Sequence, residues 1–586
     1  MQVVCASRRA TREPPALPRA EVVDLAAPRS ARARVSDGAL KKTLVRRARS
    51  SEKLRDGWVS CAVAGRGRVA VHGRGPGDFS QIRSVAGATP GARPRGAFSG
   101  RGAVPVSLVA RARSALPWTA VITGSSLAAR ALITLAAARF LPPYELGLYA
   151  IVGLVLGFAG LFQDGGLTQS VISRQEARPE QLSSLHWCNV LFGGAVGLAL
   201  GLASPAIAAL YAEPRLSDLL LLAALNFAVA PFGQISQALL QKELGFGRLG
   251  RIEVASNAAC AAATLALLAL GAGIYGLILG QLAGNLARSI LLRIAARALV
   301  RTRLRLRLGE IKPFLRFGFF QLGDRAVNFF NARTDQLLIG WLLGPEALGY
   351  YNMAWTVIVE PVYRINPIVT NVAFPVFARR QDSPAALKRG FLIVTKLLST
   401  TNAPVVLGLA AIAPVAVPLV LGERWTPSVP LVELLSIVAL ARAIFNPVGS
   451  LVLAVGRADL SFYRTVTLFA VQTPIYAVLL STAGLVPATW FVCLVNVAAV
   501  PLAYAFMLRP VLGAFLRDYA RAFLPAISLA LAMALAVRLL STAAIEPRAG
   551  LLAAQLALGA ALYGGLTLLF RREDVSEIAG LVTSRT

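Results

Sequence analysis

The strongest constraint on the fold is a succession of apolar stretches that runs from about residue 116 to about residue 570. Each stretch is roughly 18 to 25 residues long, which is the length at which a helix spans the hydrocarbon core of a bilayer. The mean hydropathy of +0.62 and the charged fraction of 15% also differ from those of an ordinary soluble domain. The chain is therefore predicted to be an all-α integral membrane protein.

We identify about fourteen transmembrane helices, numbered here as spans 1 to 14. They cover approximately residues 116–139, 147–163, 186–209, 218–240, 252–271, 273–292, 317–342, 348–375, 391–420, 428–455, 462–483, 487–508, 521–540 and 549–570.

The distribution of Lys and Arg in the loops predicts that both termini are cytoplasmic. With the N-terminus inside, the cytoplasmic loops hold 24 Lys and Arg, whereas the opposite loops hold 5. Positive charge is enriched in cytoplasmic loops. A missed or an extra helix would invert every later loop, so this bias also supports an even number of spans.

The net charge of +31 does not indicate a nucleic-acid partner. Residues 1–113 hold 23 Lys and Arg against 7 Asp and Glu, and most of the remaining excess follows the loop topology. The run RTRLRLR at 301–307 belongs to a basic cytoplasmic linker, 293–316, and we interpret it as an anchor at the anionic inner leaflet.

Residues 1–113 are expected to be a disordered, basic N-terminal extension, because they are rich in Arg, Gly, Ala and Pro and have no sustained apolar period. Two explanations remain: a basic cytoplasmic tail, or a start codon assigned too far upstream. We favour the second. The segment is not expected to be a secretory signal peptide, since the first apolar stretch of sufficient length begins only near residue 104.

An internal repeat organises the rest of the chain. The stretch LPPYELGLY at 141–149 and the stretch LGPEALGYY at 343–351 share the pattern L-x-P-x-x-L-G-x-Y. Two further pairs follow in the same order, RQEARPEQL with RQDSPAAL and LGFGR with LSFYR. Ordered matches of this kind indicate a duplicated unit.

The repeated unit contains six spans, an even number, so both copies enter the membrane in the same direction and form a parallel repeat. We predict an N-lobe at 116–292, the linker at 293–316, a C-lobe at 317–508, two further helices at 521–570 and a cytoplasmic tail at 571–586. The substrate is expected between the lobes, near the bilayer midplane. The motif itself is interpreted as a corner between helices rather than as a catalytic feature.

Polar residues inside the spans carry the functional argument, because they are costly in lipid and normally face a partner or a cavity. Span 7 is the richest. Its polar residues recur at intervals of 3 and 4, which places them on one helical face, and Arg325 lies beside them. The members of this stripe are Gln321, Asp324, Asn328, Asn331 and Asp335.

Other spans contribute further charged groups. Glu360 and Arg364 are one turn apart in span 8 and suit an internal ion pair. Additional candidates are Arg130 in span 1, Gln281, Asn285 and Arg288 in span 6, and Arg442 and Asn446 in span 10. We expect a cavity with a net positive charge that suits an anionic substrate such as a diphosphate. The alternative is that these groups only satisfy one another between helices.

Several function classes have little support. The chain has no GxxxxGK[ST] motif for a nucleotide, and His186 is the only histidine after residue 113. The predicted outer loops are too short for a soluble catalytic region. We therefore expect a protein that is not an enzyme, with no catalytic residues, no metal and no cofactor.

Four phrases carry a family resemblance: ARFLPPYELGLYAI, RTDQLLIGWLLGPEALGYYNMA, FPVFARRQDSPAALKRGF and LGERWTPSVPLVELLSI, at 138–151, 333–354, 374–391 and 421–437. In this order and spacing they resemble the polysaccharide transporter (PST) branch of the MOP flippase superfamily, which includes O-antigen and exopolysaccharide flippases. The resemblance covers about residues 116–510.

The resemblance implies a V-shaped, two-lobed helical fold in the bacterial inner membrane. It also implies transport of undecaprenyl-diphosphate-linked oligosaccharide from the cytoplasmic to the periplasmic leaflet by alternating access. The partners are then the lipid-linked oligosaccharide, the lipid bilayer and a polysaccharide polymerase with its chain-length machinery. Alternatives are a peptidoglycan-precursor (lipid II) flippase, a cation-coupled multidrug exporter of the same superfamily, and a membrane-bound glycan polymerase or ligase.

With such a substrate, the positive cavity residues are expected to bind the diphosphate and the amides to bind the sugar. The expected substrate-binding residues are Arg130, Arg288, Gln321, Arg325, Asn328, Asn331 and Arg442. Asp324, Asp335, Glu360 and Arg364 are expected to couple transport to an ion or to form internal ion pairs.

Overall fold

The structure is a computed structural model of the chain. It describes residues 106–163, 179–243, 245–297, 329–330, 332–379, 381, 383–541 and 548–570. The regular structure within these ranges is helical throughout. The predicted all-α class is therefore confirmed.

The helices are numbered in chain order. They are α1 (Val106–Phe140), α2 (Pro143–Gln163), α3 (Pro179–Leu210), α4 (Arg215–Val229), α5 (Pro231–Lys242), α6 (Phe246–Ala269), α7 (Ile274–Ala295), α8 (Gly344–Arg379), α9 (Pro384–Ala416), α10 (Val429–Ala454), α11 (Ala458–Ala483), α12 (Leu485–Ala503), α13 (Leu516–Leu540) and α14 (Arg548–Phe570). Residues 332–342 are also helical and precede α8.

Within the described ranges, eleven helices are long and apolar enough to cross a membrane, or twelve if the bent pair α4 and α5 counts as one span. The chain is thus a multi-pass membrane protein. The total of fourteen stays a prediction. Half of predicted span 7 lies outside the described residues, and α8 is not among the eleven.

Two predicted boundaries are corrected. The first helix begins at Val106, so residues 106–113 are helical rather than part of the disordered extension. Ala, Leu and Arg favour helix in this stretch and lengthen α1 in the N-terminal direction, whereas the part of α1 apolar enough to cross a membrane is Val121–Phe140. Predicted span 4 is two helices that meet at an angle of 42°. Pro231 follows the junction, and its ring removes the hydrogen bond that would continue α4.

The repeated motif lies at the starts of α2 and α8. Leu141 and Pro142 separate α1 from α2, and Leu343 precedes α8. Helix α2 packs along α8, which brings together two helices that the sequence assigns to different lobes. A continuous core of buried apolar side chains runs through this contact and includes Leu148 and Tyr351.

The remaining packing follows the two predicted groups of spans. Helix α6 packs against α1 and α7, and α3 packs against α4, whereas α10 packs against α8, α9 and α12. Helices α13 and α14, which lie outside the duplication, pack against α9. The ion pairs Lys388–Asp518 at 2.6 Å and Arg538–Glu433 at 2.9 Å join α13 to α9 and to α10.

Candidate functional site

A cavity of about 470 Å³ lies between α1, α2, α6, α7 and α8. We call it the central cavity. Four of these helices belong to the predicted N-lobe, and α8 belongs to the predicted C-lobe. The volume falls within the range of about 300 to 1,000 Å³ that is usual for ligand sites. The cavity is thus large enough for part of a substrate and touches both halves of the chain.

Two walls of the central cavity, on α6 and α8, each carry a stripe of polar residues at helical spacing. On α6 the stripe contains Glu253, Asn257 and Thr264. On α8 it contains Asn352, Thr356 and Glu360. Residues three or four apart share one face of a helix, so each of these two helices presents polar groups on the face that meets the cavity.

The predicted stripe on α7 faces the same cavity. Gln281, Asn285 and Arg288 all line it. Asn285 donates from Nδ2 to Oδ1 of Asn226 on α4, with 2.7 Å between the two atoms. This bond fixes the Asn285 amide at the cavity wall.

Arg288 is held in place by neighbouring side chains. Its Nε and Nη2 atoms donate to Oε1 of Glu253 over 2.9 and 2.5 Å, and Nη2 also donates to Gln237 Oε1 over 3.2 Å. An arginine bound in this way has a fixed orientation and loses little conformational entropy when it meets a ligand. Glu253 also neutralises much of its charge.

Arg130 differs from Arg288 in this respect. Arg130 lines the central cavity and is exposed. It makes no hydrogen bond or ion pair with any residue that the structure describes. Its guanidinium therefore keeps its donors for a ligand.

Along α8 the cavity extends from the repeated motif to Glu360. Leu146, Tyr149 and Gly349 line one end of the cavity, close to the two copies of the motif. Glu360 lies eleven residues further along α8 than Gly349, which is about 16 Å at 1.5 Å per residue. This is roughly half the thickness of a hydrocarbon core of about 30 Å.

Glu360 has a partner on its own helix. Arg364 Nη2 lies 3.6 Å from Glu360 Oε2, one turn further along α8. Among the described lining residues, the charged ones are Arg130, Glu253, Arg288 and Glu360. The expected net positive charge is thus not present in this part of the wall, because two carboxylates balance the two arginines.

A second polar cluster lies on α8, α10, α12 and the helical residues before α8. Asp335 accepts a hydrogen bond of 2.7 Å from the buried hydroxyl of Tyr351. Arg442 donates to Asn496 Oδ1 over 3.0 Å and to the Tyr363 hydroxyl over 2.8 Å. We call these five residues the α10 cluster.

Aromatic rings enclose Arg442. Its guanidinium carbon lies 5.2 Å from the ring centre of Trp355 and 5.9 Å from that of Tyr363. At such distances the negative face of a ring attracts a cation. Arg442 was predicted to bind substrate in a shared cavity, but it is not among the described residues that line the central cavity. Its donors are directed instead at α12 and α8.

The structure places the predicted residues in three groups. Arg130, Arg288, Gln281, Asn285 and Glu360 line the central cavity, and Arg364 pairs with Glu360. Asp335 and Arg442 belong to the α10 cluster. Asn446 lies on α10, is half-buried, and is not among the described residues that line the central cavity. The other predicted residues lie outside the described residues: Gln321, Asp324, Arg325, Asn328 and Asn331.

Sequence reasoning missed part of the wall. Glu253 stands one position inside predicted span 5 and pairs with Arg288, and Asn257 is one turn further on. Their signal was the same spacing of four residues that was used for α7. The stripe of Asn352 and Thr356 on α8 was also visible, but its residues are uncharged.

A second cavity, of about 450 Å³, lies between α9, α13 and α14. Its lining is mainly apolar, with Leu409, Ile412 and Met533 on its walls. The described residues contain no group of three His, Cys, Asp or Glu that is placed to hold a metal ion.

Comparison with known proteins connects these features to a family. A family described as polysaccharide biosynthesis protein matches residues 136–430. The lipopolysaccharide biosynthesis protein WzxC of Escherichia coli (strain K12) is 31% identical over 414 residues, which cover 71% of this chain and 84% of WzxC.

The teichuronic acid biosynthesis protein TuaB of Bacillus subtilis (strain 168) is 36% identical over 306 residues. These residues cover 52% of this chain and 63% of TuaB, so the match spans less than two thirds of that relative. Among solved structures, lipid II flippase MurJ in an inward-closed conformation superposes with a TM-score of 0.62. The alignment has 14% identity and covers 79% of this chain and 99% of MurJ, so it shows a shared fold.

Proposed function

Because the chain belongs to the polysaccharide biosynthesis protein family, we propose that it is a flippase that moves lipid-linked oligosaccharide across the bacterial inner membrane. The observation that carries the proposal is the central cavity. Its polar stripes surround Arg130, which has no hydrogen bond or ion pair with any described residue, and Glu360 on its wall lies about half the thickness of a hydrocarbon core from the repeated motif. Polar walls at this depth are costly unless they face water or a polar cargo.

The substrate would carry a polyprenyl diphosphate such as undecaprenyl diphosphate. Phosphate oxygens accept pairs of parallel hydrogen bonds from a guanidinium, so we assign the diphosphate to Arg130, with Arg288 beside it. Before a substrate binds, Arg288 is hydrogen-bonded to Glu253. A diphosphate that enters therefore competes with Glu253, which keeps binding reversible.

The sugar would meet the amide and hydroxyl groups of the walls. Gln281, Asn285, Asn257 and Asn352 offer both donors and acceptors, as neutral hydroxyl-rich ligands require. Gln321, Asn328 and Asn331, with Arg325, remain part of the proposed substrate surface on span 7. The apolar prenyl chain would stay in the lipid.

Transport by alternating access requires an energy source. We propose that an ion gradient acts through Asp335, which lies beside Tyr351 in the α10 cluster and interacts electrostatically with Arg442. Asp324 and Glu360 remain further candidates. A carboxylate that binds or releases a cation in this cluster changes the charge between α8 and α10, and hence the packing of both helices.

The topology and partners follow from the same proposal. We place both termini in the cytoplasm, where the loops carry most of the Lys and Arg. The protein would act as a transporter, with no catalytic residue and no cofactor, and would deliver its substrate to a polysaccharide polymerase and its chain-length machinery.

The test uses cells that lack the gene. Loss of the flippase is expected to accumulate oligosaccharide on its lipid carrier in the cytoplasmic leaflet and to abolish the surface polysaccharide, and the wild-type gene is expected to restore both. Rescue of cells depleted of their lipid II flippase would indicate the peptidoglycan precursor as substrate instead. Restored drug resistance without restored polysaccharide would indicate the exporter and contradict the proposal.

A further inference from the structure

The two copies of the repeated motif pack against each other. Gly147 in the first copy faces Pro345 in the second, and Gly349 in the second faces Pro143 in the first. The offset between the copies is 202 residues, so Gly147 corresponds to Gly349 and Pro143 to Pro345. The contact is therefore reciprocal, as in a two-fold interface in which the same surface patch meets its own copy.

The backbones at this contact leave no room for a side chain. A Cβ added at Gly147 would overlap the carbonyl oxygen of Pro345, and one at Gly349 would overlap the carbonyl oxygen of Pro143. The added Cβ at Gly349 would also lie 3.2 Å from the backbone nitrogen of Gly147. Small residues allow transmembrane helices to approach this closely.

A second reciprocal pair of contacts flanks the glycines. The buried Trp425, between α9 and α10, donates from Nε1 to the Ala138 carbonyl over 2.9 Å. On the opposite side, Cε1 of Tyr211, between α3 and α4, lies 3.2 Å from a Cβ added at Gly340. Ala138 and Gly340 are related by the same offset of 202 residues. Each lobe thus places an aromatic residue on the helix end of the other.

One further contact exists on one side only. Arg139 donates to the carbonyl oxygens of Leu419 and Val420, just after α9. Carbonyl groups at the end of a helix carry partial negative charge and attract a cation. The residue that corresponds to Arg139 in the second copy is Trp341, which carries no positive charge.

These contacts lie next to the central cavity. Leu146, Tyr149 and Gly349 belong to the two motif copies and also line the cavity. A substrate that moves from Glu360 along α8 toward Gly349 therefore meets the motif copies.

We propose that the duplicated L-x-P-x-x-L-G-x-Y motif is the gate at one end of the cavity, closed when Gly147 and Gly349 interlock with the prolines of the opposite copy. The gate separates when the lobes rock apart. Its closed form depends on two glycines with no tolerance for a Cβ, while Trp425 and Arg139 stabilise the closed form through hydrogen bonds that break on opening.

The gate adds a mechanism to the proposed function. Only the identity of the substrate that passes the gate rests on that proposed function. Under the proposed topology the gate lies on the periplasmic side. The closing experiment measures access to the cavity without any substrate. A failure of the gate is therefore distinguishable from a failure of the flippase proposal.

The native Cys260 lines the central cavity and serves as the reporter. The other cysteines, Cys5, Cys61, Cys188 and Cys493, are replaced by Ala. A membrane-impermeant maleimide is then added to one side of the membrane at a time, in intact cells or inverted vesicles. A separate Glu423→Cys protein, altered at a strongly exposed position near the gate, reports which side the gate faces.

The main variants are Gly147→Ala and Gly349→Ala. Each should raise the rate at which Cys260 reacts from the gate side about tenfold, because the added methyl group holds the closed form apart and shifts the population toward the open form. The matched control is Gly153→Ala on the same helix as Gly147, where an added Cβ has open space. It should leave the rate unchanged.

Milder variants address the case in which an alanine variant does not insert. Trp425→Phe keeps a large ring but removes the donor to Ala138, and Arg139→Ala removes an exposed side chain. Both should raise gate-side labelling about threefold, in keeping with the loss of one or two hydrogen bonds. Unchanged gate-side labelling in inserted Gly147→Ala or Gly349→Ala protein, or in both milder variants, would overturn the gate.

Discussion

The central cavity and the α10 cluster are both built from arginines, carboxylates and amides inside the membrane domain, yet they differ in what is left unpaired. Arg442 directs its guanidinium at Asn496 and Tyr363 and is enclosed by rings. Arg130 has no such partner within the described residues. A satisfied cluster stabilises and couples helices, whereas donors that face open space are available to a ligand.

The same difference separates the two arginines within the cavity. Arg288 is neutralised by Glu253, so its exchange of partners can accompany substrate entry and release. Arg130 carries the charge that remains for an incoming anion. The experiments below test this division of roles, beginning with the largest expected effect.

Arg130→Ala should lower polysaccharide export at least tenfold, because the loss of a charge-assisted hydrogen bond costs about 1.5 to 3 kcal/mol. Arg130→Lys keeps the charge but not the paired donors and should fall between alanine and wild type. Export is measured as surface polysaccharide per inserted protein.

The control for this variant is Arg457→Ala, since Arg457 lies in a short connection between α10 and α11 and pairs only with Asp459 among the described residues. It should export normally. Normal export by well-inserted Arg130→Ala protein would remove the main difference between the central cavity and the α10 cluster.

Exchange at the Arg288–Glu253 pair should affect affinity and turnover in opposite ways. Glu253→Gln removes the competing carboxylate, so the half-saturating substrate concentration should fall about threefold while release slows. Arg288→Gln should raise the half-saturating substrate concentration about threefold or more. The measurement is flipping rate against the density of lipid-linked substrate in the vesicles.

A fall in affinity for both variants would indicate that the pair acts only as a unit of structure. The double variant, Glu253→Gln with Arg288→Gln, measures the coupling free energy between the two positions. The two side chains are in contact, so the effects of the single changes are not expected to add.

The α10 cluster should respond in stability and coupling more than in substrate binding. Arg442→Met leaves Asn496 and Tyr363 without a donor, which costs about 1 to 3 kcal/mol and should lower the unfolding temperature in detergent. Substrate binding should change less than threefold. Asp335→Asn should flatten the dependence of flipping on an imposed ion gradient.

A loss of substrate affinity in Arg442→Met as large as that in Arg130→Ala, with unchanged unfolding, would place the α10 cluster on the substrate path. It would then make the two regions equivalent.

The sequence predicted those parts of the molecule that depend on local patterns. Apolar runs gave the helices, and spacing along α7 identified Gln281, Asn285 and Arg288 on one cavity wall. The same spacing on α6 would have identified Glu253, which stands near the end of its span. Local patterns also missed the bend before Pro231, since a proline at the start of a helix and one inside a span have the same sequence signature.

Contacts between distant segments could not be predicted in this way. The motif was correctly expected at a corner between helices, but the sequence gives no sign that the two corners touch. Arg130 and Arg442 are both arginines near the middle of a span, and only the side chains around them place one in an open cavity and the other among aromatic rings.

The most direct test is flipping by purified protein in vesicles that contain a fluorescent, diphosphate-linked oligosaccharide lipid on both leaflets. A membrane-impermeant quencher or glycosidase then reports movement between leaflets. Wild type should make nearly the whole lipid pool accessible, Arg442→Met should do so at a comparable rate, and Arg130→Ala should be at least tenfold slower. Equal rates for Arg130→Ala and wild type, or no movement with wild type beyond that in protein-free vesicles, would contradict the account.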